Sequence, residues 1–313
     1  MPPGVSSSAS RLLLLTFPPQ SALRSSLGQD ETARRRLAQA KGGSVVTRDQ
    51  KSKPSWQELL VTAIKEPGAI HEAYSRFWNY SSGNQVLALT QCIARGIEPG
   101  PIASFQRWRE FGRYVKKGEK ALALIMPVTV KVKSVEPEHT NEPERQTVEP
   151  TRTIFILKRR WFVLSQTEGE PYQPAPIPEW TKDRALETLG LREEPFQELN
   201  GNIQGYARAR IVSVSPLSAL PHKTRFHEMA HVLLGHTGRG GLSDTESISK
   251  SLIEAEAESV ALICCESLNL PGAEFSRGYI QHWLDGEEIP ERSAQRIFAV
   301  ADRILKAGLQ SKG

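Results

Sequence analysis

HKTRFHEMAHVLLGH, residues 222–236, decides the reading of this chain. His227 and His231 lie four apart, so on an α-helix both imidazoles leave one face a turn apart and can grip a single tetrahedral ion. Glu228 follows the first histidine and points around the helix toward the remaining coordination position. There it can take a proton from an attacking water, the arrangement of an HExxH metallopeptidase. Pro221 suits the first turn of this helix. The flanking Phe226, Met229, Ala230, Val232, Leu233 and Leu234 make it apolar nearly all round, which fits a surface helix poorly. Two histidines and a glutamate in a buried helix need partners that offset their desolvation, and Zn2+ supplies them.

A catalytic zinc wants a third protein ligand. His236 is five beyond His231, whereas the metzincin pattern needs histidine six beyond, where this chain has Thr237. Downstream, LIEAEAESVALICC offers Glu254, Glu256 and Glu258 at the separation expected of a second helix crossing back over the first. On a helical wheel Glu256 shares a stripe with Leu252, Ile253, Val260 and Ile263, and Glu254 and Glu258 share another with Ala261 and Cys265. The wheel favours Glu256, because a lone acid on an apolar stripe is penalised unless it is paired or metal-bound. The alternative is Glu254 as ligand with Glu258 beside it. Asp244 is a third candidate.

Around this segment the sequence predicts long helices over 247–269 and 291–307, helices over 180–191 and 193–199, and a strand over 203–214. The Pro-rich run 171–178 reads as a semi-rigid linker. Upstream, helices are predicted over 55–65, over the apolar run that stops at Gly96, and over 104–112. ALALIMPVTVKVKSV and TIFILKRRWFVL read as two strands, joined by a polar, acidic loop over 136–149. The division is therefore a tail 1–50, a first domain 51–170, a linker and helix 171–198, and a second domain 199–313.

Charge separates the domains. Residues 51–135 hold 13 Lys and Arg against 6 Asp and Glu, while 171–313 hold 15 against 19. The basic half suits a polyanion. Arg107, Trp108, Arg109, Arg113, Tyr114, Lys116, Lys117 and Lys120 interleave charge with rings, and Trp78 and Tyr80 sit near Asn84. Such a mixture holds single strands by phosphate contacts and base stacking. The alternative makes Trp108 and Phe111, three apart on a helix, simple core residues with a solvated basic face.

The first fifty residues are rich in Ser, Pro and Arg and hold no acid before Asp30, which reads as an unfolded tail and also fits a transit peptide. No apolar run is long enough to span a bilayer, and no membrane partner is expected. Three cysteines without a CxxC pair indicate a reducing, cytoplasmic setting.

These segments together resemble the ArdC family of antirestriction proteins over about residues 55–307. The resemblance rests on WQELL (56–60), SGNQVLAL (82–89), FQRWREFGRYVKKGEKALAL (105–124) and FVLSQT (162–167). In the second half it rests on NIQGYARARIVSVSP (202–216), HEMAHVLLGHT (227–237), EAEAESVALICCESL (254–268) and YIQHWL (279–284). It implies an α+β chain: an N-terminal α+β single-stranded-DNA-binding domain and a mainly helical zincin-like metallopeptidase domain with a small sheet. The 256–261 stretch is also similar to the third-ligand helix of the ImmA/IrrE zincins, which again favours Glu256. The implied function joins single-stranded DNA binding to a zinc-dependent, gluzincin-like hydrolase acting on a protein or peptide. The alternative keeps DNA binding and makes the zincin domain a structural or protein-contact surface.

Overall fold

The computed structural model describes residues 13–16, 54–131, 151–198, 203–237 and 249–309. The 136–149 loop, Asp244 and most of the N-terminal fifty residues lie outside that set. The chain is α+β and forms two compact units, residues 58–178 and residues 179–313 together with the segment before 58. Helix α1 (Trp56–Lys65) begins in one unit and continues in the other.

In the 58–178 unit, α2 (Ala69–Phe77) escapes the sequence reading. Its Ile70, Ala73, Tyr74 and Phe77 nevertheless recur at helical spacing and are all buried. Helix α3 (Ser82–Arg95) stops at Gly96, whose φ of 62° is the left-handed turn expected of a helix-ending glycine. Then follow β2 (Ile102–Ser104), α4 (Phe105–Glu110), β3 (Arg113–Val115), β4 (Leu122–Lys131), β5 (Thr151–Val163) and β6 (Thr167–Gly169). Strands β4 and β5 pair antiparallel from Lys131↔Thr151 to Leu122↔Trp161, as their β-branched runs predict. The sheet order is β2-β5-β4, and β3 pairs with β6 apart from it. Phe77, Leu89, Cys92, Leu122, Leu124 and Val163 pack into the core.

Strand β4 is an edge, and α3 closes it. The Asn84 amide accepts from Ile125 N at 2.8 Å and donates to Ile125 O at 2.9 Å. Two helical turns on, Gln91 does the same for Ala123, at 2.9 and 2.8 Å. Two side-chain amides thus satisfy the alternate N–H and C=O groups that a neighbouring strand would otherwise take.

In the other unit, α5 (Lys182–Leu189) precedes a four-stranded sheet in the order β1-β8-β9-β7. Its strands are β1 (Leu13–Thr16), β7 (Arg192–Glu193), β8 (Ile203–Arg208) and β9 (Ile211–Val214). Residues 13–16 fall in the expected tail but pair antiparallel with β8. Of the helix expected over 193–199, the described residues 193–198 form none: Pro195 biases Glu194 toward extended backbone, and Glu194 N donates instead to Val212 O. The single strand expected over 203–214 is a hairpin, turned at Ala209 with φ 50°. Four helices complete the unit: α6 (Pro221–Leu234), α7 (Lys250–Ser267), α8 (Ala273–Leu284) and α9 (Glu291–Gly308). Ser249 caps α7 by accepting from Leu252 N. Among the described residues no helix is long and apolar enough to cross a membrane.

Candidate metal centre

Helix α6 carries the histidine pair and packs on α7 and on strands β8 and β9. Arg225 anchors it to the sheet by donating two bonds to the Glu193 carboxylate, at 2.8 and 3.0 Å. Strand β8 approaches closely because position 205 is glycine: a Cβ there would lie 2.6 Å from Thr224 Cγ2 and 3.0 Å from Glu228 Oε1. Both histidines and Glu228 are buried.

His227 Nε2 and His231 Nε2 face each other at 2.9 Å. Glu254 Oε2 completes the group, 3.4 Å from His227 Nε2 and 3.6 Å from His231 Nε2. One donor atom from each of the three residues lies within 4.8 Å of the other two. This donor set fits a divalent cation of moderate hardness, two imidazoles and a carboxylate.

Glu256, the residue expected as third ligand, turns away. Its Oε2 sits 2.9 Å from His236 Nε2 and its Oε1 3.6 Å from Arg296 on α9. The correction has a plain physical cause. The wheel argument supposes one buried face, but α7 is buried on every side from Glu254 to Ser267, so an acid on an apolar stripe marks nothing special. What matters is which face meets α6, and positions 254 and 258, four apart, share that face. Glu258 is the neighbour of His227, its Oε2 2.7 Å from Nδ1, while its other oxygen takes the buried Lys223 Nζ at 2.5 Å.

The electrostatics follow the geometry. Burial works against charge on His227, yet its hydrogen bonds to the Glu254 and Glu258 carboxylates, which accept from it, outweigh burial and raise the imidazole to about 9. Burial dominates at His231, lowering it to about 4. For Glu254, burial is outweighed by the two imidazoles, which hold the carboxyl well below its usual range. Lys223 and His227 likewise overcome burial at Glu258 and bring it to about 2. Glu228 differs: burial pushes it up to about 8, the positive His227 and Lys223 only partly opposing. Neither of its oxygens has a hydrogen-bond partner among the described residues. A buried carboxyl with both oxygens unengaged is costly, and its place beside the His227, His231 and Glu254 group fits a cation-binding cluster. Lys223 escapes the sequence reading and His236 enters it only as a rejected metzincin position, since no spacing rule marks a residue that touches the histidine pair or its neighbours from behind.

The aromatic and basic residues of the 58–178 unit divide. Trp108 is 1% exposed, donates from Nε1 to Phe162 O at 2.8 Å, and packs edge-on against Phe111 and Tyr172. The core alternative therefore describes Trp108. Asn84 is spent on β4. Arg113 is a fastener, donating to Thr167 Oγ1 and to the carbonyls of Thr167, Gly169 and Glu170. Lys116 Nζ donates to Ser165 O, and Tyr80 Oη to Ile102 O. Trp78 is half-buried. Arg107, Arg109, Tyr114, Lys117 and Lys120 are exposed, Arg107 paired with Glu110 at 2.6 Å. Phe105, not singled out from the sequence, is half exposed at the start of α4.

Residues 44–161 match the family profile of the N-terminal domain of anti-restriction factor ArdC. Similar solved structures include two of the antirestriction ArdC protein from plasmid R388. The metal-free form is 21% identical, covering 81% of this chain and 94% of that one, with a TM-score of 0.45. The Mn(II)-bound form is 19% identical, covering 82% and 98%, with a TM-score of 0.46. No curated protein matches.

Proposed function

From the premise that this is an ArdC-like chain with an ArdC-type N-terminal domain at residues 44–161, we propose that it binds single-stranded DNA and hydrolyses peptide bonds at a zinc site. The observation that carries the enzymatic half is the convergence of His227, His231 and Glu254 beside a buried Glu228 with no partner of its own among the described residues. Mn(II) in the similar plasmid protein supports a divalent ion here, and two imidazoles with one carboxylate favour zinc.

His227, His231 and Glu254 would hold the ion. Bound there, zinc supplies Lewis acidity toward a carbonyl and acidifies water. Glu228 accepts the proton of the attacking water and returns it to the leaving amine. Lys223 neutralises Glu258, so that the partner of His227 stays charged without burdening the site with an unpaired anion. Single-stranded DNA binding falls to the exposed residues: Arg107, Arg109, Lys117 and Lys120 for phosphates, and Phe105 and Tyr114 for stacking. Antirestriction is the biological role proposed with it.

A Glu228→Gln variant of the full chain tests the enzymatic reading. It should keep one zinc per chain by metal analysis and lose about 100- to 10,000-fold in cleavage of a denatured protein substrate. Wild-type protein that binds zinc yet cleaves nothing, with unchanged biological activity in Glu228→Gln, would leave the binding-only alternative.

A further inference from the structure

The two imidazoles on α6 are backed by different partners. His227 Nδ1 meets a carboxylate directly, that of Glu258. His231 Nδ1 meets another imidazole, 3.0 Å from His236 Nδ1, and His236 Nε2 lies 2.9 Å from Glu256 Oε2. The second arrangement is produced by the helix end. Gly235, at φ 83°, terminates α6, and His236 N donates back to His231 O at 2.9 Å, which brings the following ring behind His231. Both His236 and Glu256 are buried, with side chains 4% and 0% exposed, and Arg296 balances the carboxylate from α9.

Proton accounting gives this chain a direction. An ionised carboxylate only accepts, so His236 Nε2 donates to Glu256. A neutral imidazole carries one N–H, so His236 Nδ1 then holds a lone pair and accepts from His231 Nδ1–H. His231 Nε2 is thereby left with its lone pair aimed at His227 Nε2 and Glu254, the form that a cation needs. With the opposite tautomer of His236, its Nε2 lone pair would face the Glu256 carboxylate, and its Nδ1–H would make His231 accept at Nδ1 and carry its proton on Nε2, the form that a cation does not bind.

We propose that His236, held by Glu256 and Arg296, is a positioning residue that fixes His231 in its metal-binding tautomer. This rests on the reading of His227, His231 and Glu254 as a divalent-ion site, and it gives the displaced Glu256 its task. His236 is not a fourth ligand: it touches the Nδ1 side of His231, away from the converging Nε2 atoms, and its own Nε2 is committed to Glu256.

The test measures Zn2+ affinity of the full chain by competition with a chromophoric chelator, for the wild type, His236→Ala and Glu256→Gln. Thermal unfolding of the metal-free proteins serves as the folding control. His236→Ala should bind zinc about 10- to 100-fold more weakly with its fold intact. Glu256→Gln should lose less, because an amide oxygen still accepts from His236. In parallel, ring-nitrogen NMR of zinc-loaded wild type should find His236 protonated on Nε2 alone, a readout independent of any variant's folding. Wild-type affinity in His236→Ala, or a proton on His236 Nδ1, overturns the proposal while leaving the zinc site standing. A wild type that binds no zinc removes both.

Discussion

Two polar neighbourhoods of this protein look alike in sequence and behave in opposite ways. Around residues 84–124, Asn84, Gln91, Arg113 and Lys116 each spend their hydrogen-bonding capacity on backbone groups, and the tryptophan among them is core. Around residues 223–258 the polar side chains are more deeply buried, their atoms converge on one another, and Glu228 is left with both oxygens unengaged among the described residues. The difference teaches how to tell fastener from function. A buried polar group whose partners are backbone N–H and C=O completes the fold, whereas several that converge with lone pairs unmet call for a species from outside.

The comparison can be broken or sharpened by substitution. The largest effect is expected at the ion site. Glu254→Ala should lose zinc far beyond the loss from any outer partner, more than about 100-fold by chelator competition, while Glu256→Ala should stay within about 10- to 100-fold. A reversal of that order would restore Glu256 as ligand. Next, Trp108→Ala should destabilise by about 3–5 kcal/mol in denaturant unfolding, because it empties a packed core site and removes the indole bond to the Phe162 carbonyl. A near-neutral result would return Trp108 to the surface.

A smaller, pH-dependent effect is expected where Arg225 holds α6 to the sheet. Burial opposes charge on Glu193, but Arg225 and Lys182 outweigh it and depress its pKa. A depressed carboxylate contributes stability above its unfolded value, about 4.3, and loses it as pH falls through the folded one. The Tm deficit of Glu193→Gln relative to wild type should therefore be full near pH 7 and close progressively below about pH 4 in calorimetry. A gap constant with pH would deny the ion pair its role. The smallest effect on the fold belongs to Tyr114→Ala, within about 0.5 kcal/mol, since the ring is 57% exposed. Its affinity for a single-stranded oligonucleotide should fall by about 1–3 kcal/mol in a fluorescence titration, and wild-type affinity should fall steeply with salt.

Sequence patterning located most of the scaffold. The β4–β5 pair, α3 with its glycine stop, and α6 beginning at Pro221 all follow from local periodicity and end signals. It passed over α2 and α8, short helices whose apolar positions are diluted by polar neighbours, and misread 193–198, where one proline outweighs helical composition.

At the site, the sequence by itself determined that His227 and His231 share a helix face with Glu228 beside them, because a four-residue separation is fixed by the geometry of one helix. It also narrowed the third carboxylate to Glu254, Glu256 and Glu258 on one following helix, with Asp244 as a further candidate before it. Only the tertiary structure placed Glu254 against both imidazoles, gave Glu258 to His227 and sent Glu256 to His236. Those choices depend on the rotation of α7 against α6, and no periodicity within a helix buried on every side records which face its neighbour takes.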